Sequence, residues 1–118
     1  FPFPVRMSDA RAPLRVIIDT DPGVDDMMAL VLALCSPELS VEGITIVFGN
    51  SDEMDVLAAN ACLALTICGK SGVPVVRGKP KPLATEYHGH SGKEIHGPNA
   101  IGGVAHPVAA DLSPLTMF

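Results

Sequence analysis

The chain has 118 residues, a formal net charge of -5, and 47% hydrophobic against 18% charged residues. That length holds one domain with a modest core, and the apolar share excludes a disordered tail or a collagen-like repeat. The acidic balance argues against a general nucleic-acid binder, which needs basic patches to neutralise phosphates.

Residues 1–14 are rich in proline and aperiodic, and read as an irregular lead-in. The chain opens on Phe1, with Met7 as a candidate start, and stops at Phe118 after the Pro-flanked stretch from Pro107 to Pro114; both ends read as cut. The longest apolar run, Met27 to Cys35, is too short for a bilayer, and the opening residues lack the charged start of a signal peptide.

Arg15 to Asp19 is a β-branched run bounded by Pro13 and Pro22-Gly23, which predicts a buried strand. Asp25 and Asp26 then precede the helix formers Met27 to Leu34; first-turn carboxylates suit the positive end of the helix dipole, and Ser36-Pro37 closes the helix. Val41 to Phe48 is a second strand, ended by Gly49-Asn50. Ser51-Asp52 is expected to cap a longer helix with one apolar face (Met54, Leu57, Ala58, Ala61, Cys62, Leu65), and Gly69 is its expected C′ stop. Val73 to Val76 is a third strand, whose Pro74 marks an edge or a strand start. From Gly78 onward Gly, Pro and His dominate without periodicity.

This order predicts an α/β fold: an open, Rossmann-like, mostly parallel sheet with flanking helices, ending after the third strand and its following loop. Such sheets bind ligands beyond the carboxyl ends of their strands, here after Ile18, Val47 and Val76. The cysteines, Cys35, Cys62 and Cys68, form no CxxC pair and read as small hydrophobes in a reducing, cytoplasmic setting.

The chemistry concentrates in Asp19-Thr20-Asp21-Pro22-Gly23-Val24-Asp25-Asp26, four carboxylates in eight positions. Crowded acids repel and resist ionisation unless a cation joins them, and all-oxygen donors select Ca²⁺ or Mg²⁺ over zinc. A helix cap with solvated turn residues would explain one such Asp, not four. An EF-hand fails because position twelve from Asp19 is Leu30, and a phosphate loop fails for want of Lys-Ser/Thr. Of the loop histidines, His88, His90 and His106 read as surface residues, as do Lys79, Lys81 and Lys93.

The octapeptide resembles the opening signature of the inosine-uridine-preferring nucleoside hydrolase family. Gly49-Asn50, Asn60-Ala61, Val73-Pro74-Val75 with Gly78 and Pro82-Leu83, and His96-Gly97 leading to Gly102-Gly103-Val104 follow in the family's order. The resemblance implies a calcium-dependent enzyme that hydrolyses the N-glycosidic bond of purine or pyrimidine ribonucleosides, a salvage activity. Residues 15–118 would then be the N-terminal part of such a domain, inactive alone because later segments of the family supply further ligands. By position, Asp21 and Asp26 resemble calcium ligands, with Asp21 also taking the proton of the attacking water. Asp25 resembles the residue gripping the ribose hydroxyls, Asn50 a ribose-pocket residue, His96 the loop histidine near the nucleobase, and Asp19 a support behind the ligands. Its implied partner is a ribonucleoside, not nucleic acid or membrane, and a homo-oligomer of the full-length form is left open. Ala100 stands where the family usually has Gly, and strains its loop if φ is positive there. Two other readings of the residues compete: a HAD-like Mg²⁺-dependent phosphatase with Asp19 as nucleophile and Asp21 as acid, and a non-catalytic nucleoside-binding module.

Overall fold

A computed structural model describes residues 12–89 and 92–104, together with the backbone of 115–116. The lead-in before residue 12, Met7 within it, His90, His106, Pro107, Asp111 and Pro114 lie outside the described residues. The elements run β1 (Leu14–Thr20), α1 (Val24–Cys35), β2 (Leu39–Ile46), α2 (Met54–Ile67), β3 (Val75–Arg77), α3 (Lys93–His96) and β4 (Leu115–Thr116). The four strands form one sheet in the order β1-β2-β3-β4, and every pairing is parallel.

Each strand-to-strand connection through a helix moves one place across the sheet. Right-handed crossovers therefore put α1 and α2 on the same face, where they pack on each other and on β2 and β3. The core between these layers contains Leu30 and Leu34 from α1, Ile44 and Ile46 from β2, Leu57, Ala61 and Leu65 from α2, and Val75. On the other face of β1, Ile17 is 70% exposed and Arg15 pairs across the sheet with Glu42 at 3.0 Å. Strand alternation explains the split, since Ile18 and Thr20 point towards the helices while Ile17 and Asp19 point away.

The stop of α2 follows the expected chemistry. Gly69 takes φ +64, the Gly69 N–H donates to the Thr66 carbonyl at 3.1 Å, and the Lys70 N–H donates to the Leu65 carbonyl at 2.8 Å. That paired pattern satisfies the last carbonyls of the helix and needs a left-handed residue at its pivot.

Strand β2 runs Leu39–Ile46, two residues ahead of the expected Val41 to Phe48, and three further details differ from the sequence reading. Helix α2 begins at Met54 with Glu53 as its cap, because the Ser51 hydroxyl accepts from the Glu53 N–H at 3.1 Å and so closes a turn ahead of the helix instead of capping it. Strand β3 pairs from Val75 rather than Val73, since Pro74 has no N–H for the ladder and contributes only its carbonyl, to the Ile44 N–H at 2.9 Å. The sheet also does not end at β3. Leu115–Thr116 adds a two-residue strand against Val76 and Arg77, too short to leave an alternation in the sequence.

Candidate active site

The turn between β1 and α1 is built around Asp26. Its Oδ1 accepts from the Thr20 hydroxyl at 2.6 Å, and its Oδ2 accepts from the Gly23 N–H at 3.2 Å and from Asn50 Nδ2 at 3.0 Å. Gly23, at the N-cap, has no side chain to accept from the first-turn N–H groups, and the carboxylate three residues on closes the turn by accepting from the Gly23 N–H.

Asn50, just beyond β2, reaches the same turn from the neighbouring strand. Its N–H donates to Asp21 Oδ2 at 2.9 Å and its Nδ2 to the Asp21 carbonyl at 2.7 Å. Asp21's own N–H also lies against its carboxylate. Burial pushes the Asp21 carboxyl above its usual range; the N–H groups of Asn50 and of Asp21 itself oppose this, while repulsion from Asp26 and then Asp25 adds to it. Such a carboxylate is short of positive charge.

The backbone closes tightly here. A Cβ on Gly49 would lie 2.2 Å from Asp21 Oδ2, and one on Gly23 would lie 2.5 Å from Asn50 Nδ2. These two positions are glycine because side chains of the site occupy the space.

His96, at the end of α3, comes in from far along the chain. Its Nδ1 accepts from the Val24 N–H at 3.2 Å, capping α1 from outside, and lies 3.9 Å from Asp25 Oδ1. His96 is largely buried and the Asp25 side chain is 77% exposed, so this carboxylate projects outward from the turn.

Asp21, Asp25, Asp26, Asn50 and His96 are therefore brought together at the carboxyl ends of β1 and β2. Asp19 is not. Its Oδ1 accepts from the Thr45 hydroxyl at 2.6 Å, and it borders a separate groove walled by Phe48, Lys79, Pro82 and Leu83. The residue directly behind a candidate ligand is Thr20, which the sequence reading passed over; strand alternation, which turns Thr20 to the helix side, was the available signal. Asn60, from the Asn60-Ala61 pair, is a further residue of the site. It is fully buried on α2, and its Nδ2 donates to the Pro22 carbonyl at 3.0 Å and the Asn99 carbonyl at 2.9 Å. One amide thus pins the aspartate turn to the loop that carries His96. In that loop Ala100 has φ +62 and is fully buried.

Of the four acids close in sequence, Asp21 and Asp26 are joined through Asn50, Asp25 projects outward and Asp19 lies apart. Among the described residues no three His, Cys, Asp or Glu side chains converge as a metal cage. The donor chemistry nonetheless fits a hard cation at one corner: burial and its acidic neighbours push the Asp21 carboxyl up, Asp26 is held by three donors, and both groups offer oxygen.

The family model for inosine-uridine preferring nucleoside hydrolases matches residues 16–116. The chain belongs to that family. It is 42% identical over 93 residues to uridine nucleosidase 1 of Arabidopsis thaliana, covering 79% of this chain and 27% of that protein. It is 41% identical over 97 residues to the inosine-uridine preferring nucleoside hydrolase of Crithidia fasciculata, covering 80% and 29%. Among solved structures, a plant nucleoside hydrolase superposes with a TM-score of 0.76 at 37% identity, covering 86% of this chain and 31% of that one. The chain thus spans under a third of the length of these relatives. Membership disfavours the phosphatase reading, as does the separation of Asp19 from the cluster around Asp21. No helix among the described residues is long and apolar enough to cross a membrane.

Proposed function

We propose that this chain contributes the first half of a calcium-dependent site that hydrolyses the N-glycosidic bond of ribonucleosides. The observation that carries the reading is the joining of Asp21, Asp26 and Asn50 into one hydrogen-bonded unit at the carboxyl end of the sheet. Asp21 and Asp26 would hold the ion. When bound, Ca²⁺ supplies positive charge that orients the ribose diol and acidifies a water.

The residues then divide the work. The raised, partly desolvated Asp21 carboxylate is suited to take a proton from the attacking water. Asp25, exposed at the mouth of the turn, is placed to accept hydrogen bonds from ribose hydroxyls. Asn50 Nδ2 fixes the Asp21 main chain and the Asp26 carboxylate together, so the two acids keep their separation as charge develops. The acids also stabilise the positive ribose of an oxocarbenium-like transition state. His96 sits beside Asp25, on the side assigned to the nucleobase.

Two side-chain ligands are few for an ion that takes six to eight oxygens, so the 118-residue chain binds calcium weakly, with Kd on the order of a millimolar, and turns nucleosides over negligibly. In a form extended to the length of its relatives, ribose release from inosine or uridine is expected to vanish on Asp21→Ala and on chelation. Undiminished release by that variant would sink the proposal. Saturable nucleoside binding without turnover in the extended form would favour the binding-module reading.

A further inference from the structure

The end of α1 opposite the aspartate turn carries a second cluster that the proposed function leaves unused. Cys35 is the last residue of α1 and Cys68 is the cap residue of α2, and their sulfurs lie 3.7 Å apart. Cys35 is exposed, Cys68 is partly accessible, and Cys62 is buried in the core. Two thiols in van der Waals contact with one open to solvent differ from the separate apolar cysteines that the sequence suggests.

We propose that Cys35 and Cys68 are an oxidation site, closing to a reversible intramolecular disulfide that clamps the C-terminal ends of α1 and α2. The sulfurs need to close to about 2.0 Å, and both sit at helix ends, where side-chain rotation and a small backbone shift meet the least resistance. The oxidant is a peroxide. The Cys35 thiolate attacks one peroxide oxygen; the O–O bond breaks, Cys35 becomes the sulfenic acid, and the departing oxygen leaves as water. The Cys68 thiol then attacks the Cys35 sulfur and expels a second water, its proton leaving with it. Two thiols and hydrogen peroxide thus give one disulfide and two waters, the two electrons passing from sulfur to oxygen. Burial and the Cys35 neighbour hold the Cys68 thiol above its usual range, with Lys70 opposing, so the second step accelerates in mildly alkaline solution.

The clamp lies at the far end of a 12-residue helix, about 18 Å from the aspartate turn, so it acts on the packing of α1 against α2 rather than on the ligands.

The test is intact mass and thiol counting on the reduced 118-residue chain before and after hydrogen peroxide. The expected result is a loss of about 2 Da, a fall from three reactive thiols under denaturing conditions to one, a Cys35–Cys68 cross-linked peptide, and full reversal by dithiothreitol. The Cys35→Ser variant, at an exposed position that does not threaten folding, abolishes the mass loss. A stable oxygen adduct on Cys35 with Cys68 still free overturns the proposal. So does a bridge that includes Cys62, or one that forms only between chains.

Discussion

Asn50 grips Asp21 twice, its main-chain N–H on the carboxylate at 2.9 Å and its side-chain Nδ2 on the carbonyl at 2.7 Å, across 29 residues of chain. The same Nδ2 also reaches Asp26. The spacing of the two candidate calcium ligands is therefore set by a residue that is not itself acidic, on the neighbouring strand's exit. Partners of this kind, which orient ligands without touching the ion, are typically worth 10- to 100-fold in metal affinity.

Gly49→Ala tests that arrangement without removing any polar group. Its Cβ would fall 2.2 Å from Asp21 Oδ2, so the carboxylate has to swing away and lose the Asn50 N–H. Calcium affinity measured by titration calorimetry is expected to drop at least about tenfold, with the circular dichroism spectrum unchanged. Wild-type affinity in this variant would show that the Asp21–Asn50 contact does not matter for the ion.

Asp21→Asn separates function from stability. The folded-state pKa of Asp21 is raised, so the folded chain holds its proton more tightly than the unfolded chain. Its contribution to stability is then present below the ordinary aspartate value, about 4, and is lost as pH rises through the higher folded value. In calcium-free buffer at pH 7 the neutral amide is expected to melt higher than wild type, and to lose the calcium-induced rise in Tm. A lower calcium-free Tm at pH 7 would contradict the assigned sign.

Asn60→Ala removes one buried and one part-buried hydrogen bond and leaves the Pro22 and Asn99 carbonyls without that donor. A cost of about 2–3 kcal/mol is expected in urea unfolding. Amide exchange should also speed up at Val24 and Gly102, whose N–H groups bind His96. Loss of stability with no change at those amides would mean that Asn60 serves packing alone.

Ala100 sets two small terms against each other. The left-handed conformation costs a non-glycine residue about 1 kcal/mol, while its buried methyl contributes about 0.8 kcal/mol. Ala100→Gly is therefore expected to change stability by less than about 0.5 kcal/mol. Ala100→Val, branched and fully buried at the same φ, should cost more than about 2 kcal/mol. A strongly destabilising glycine variant would show that packing outweighs strain here.

The first three strands and two helices were legible because each carries a strong local signal: β-branched runs such as Val16-Ile17-Ile18, a 3–4 spacing from Met54 to Leu65, and Gly69 as a stop. The aspartate turn was legible because its residues are contiguous. What escaped is non-local. Nothing in the neighbourhood of Asn60 shows that its amide spans Pro22 and Asn99, and nothing around His96 shows that it caps a helix beginning at Val24. Asp19 shows the converse: it lies two positions from Asp21 in the chain, yet its carboxylate accepts from the Thr45 hydroxyl and takes no part in the Asp21–Asn50–Asp26 unit. Cys35 and Cys68 meet only because two crossovers of the same hand lay their helices side by side.

The cap that His96 places on Val24 joins positions 72 residues apart, whereas the aspartate turn is closed by Thr20 and Gly23 within a few residues and by Asn50 only 29 residues on. Loop-closure entropy grows with that separation, so the strand–helix–strand unit is expected to assemble first and the histidine loop to dock last. The same ordering, run backwards, makes that docking the first contact surrendered. The loop that carries His96 is therefore expected to open and reclose while the aspartate turn behind it stays folded, a door whose hinge is the chain's own folding order.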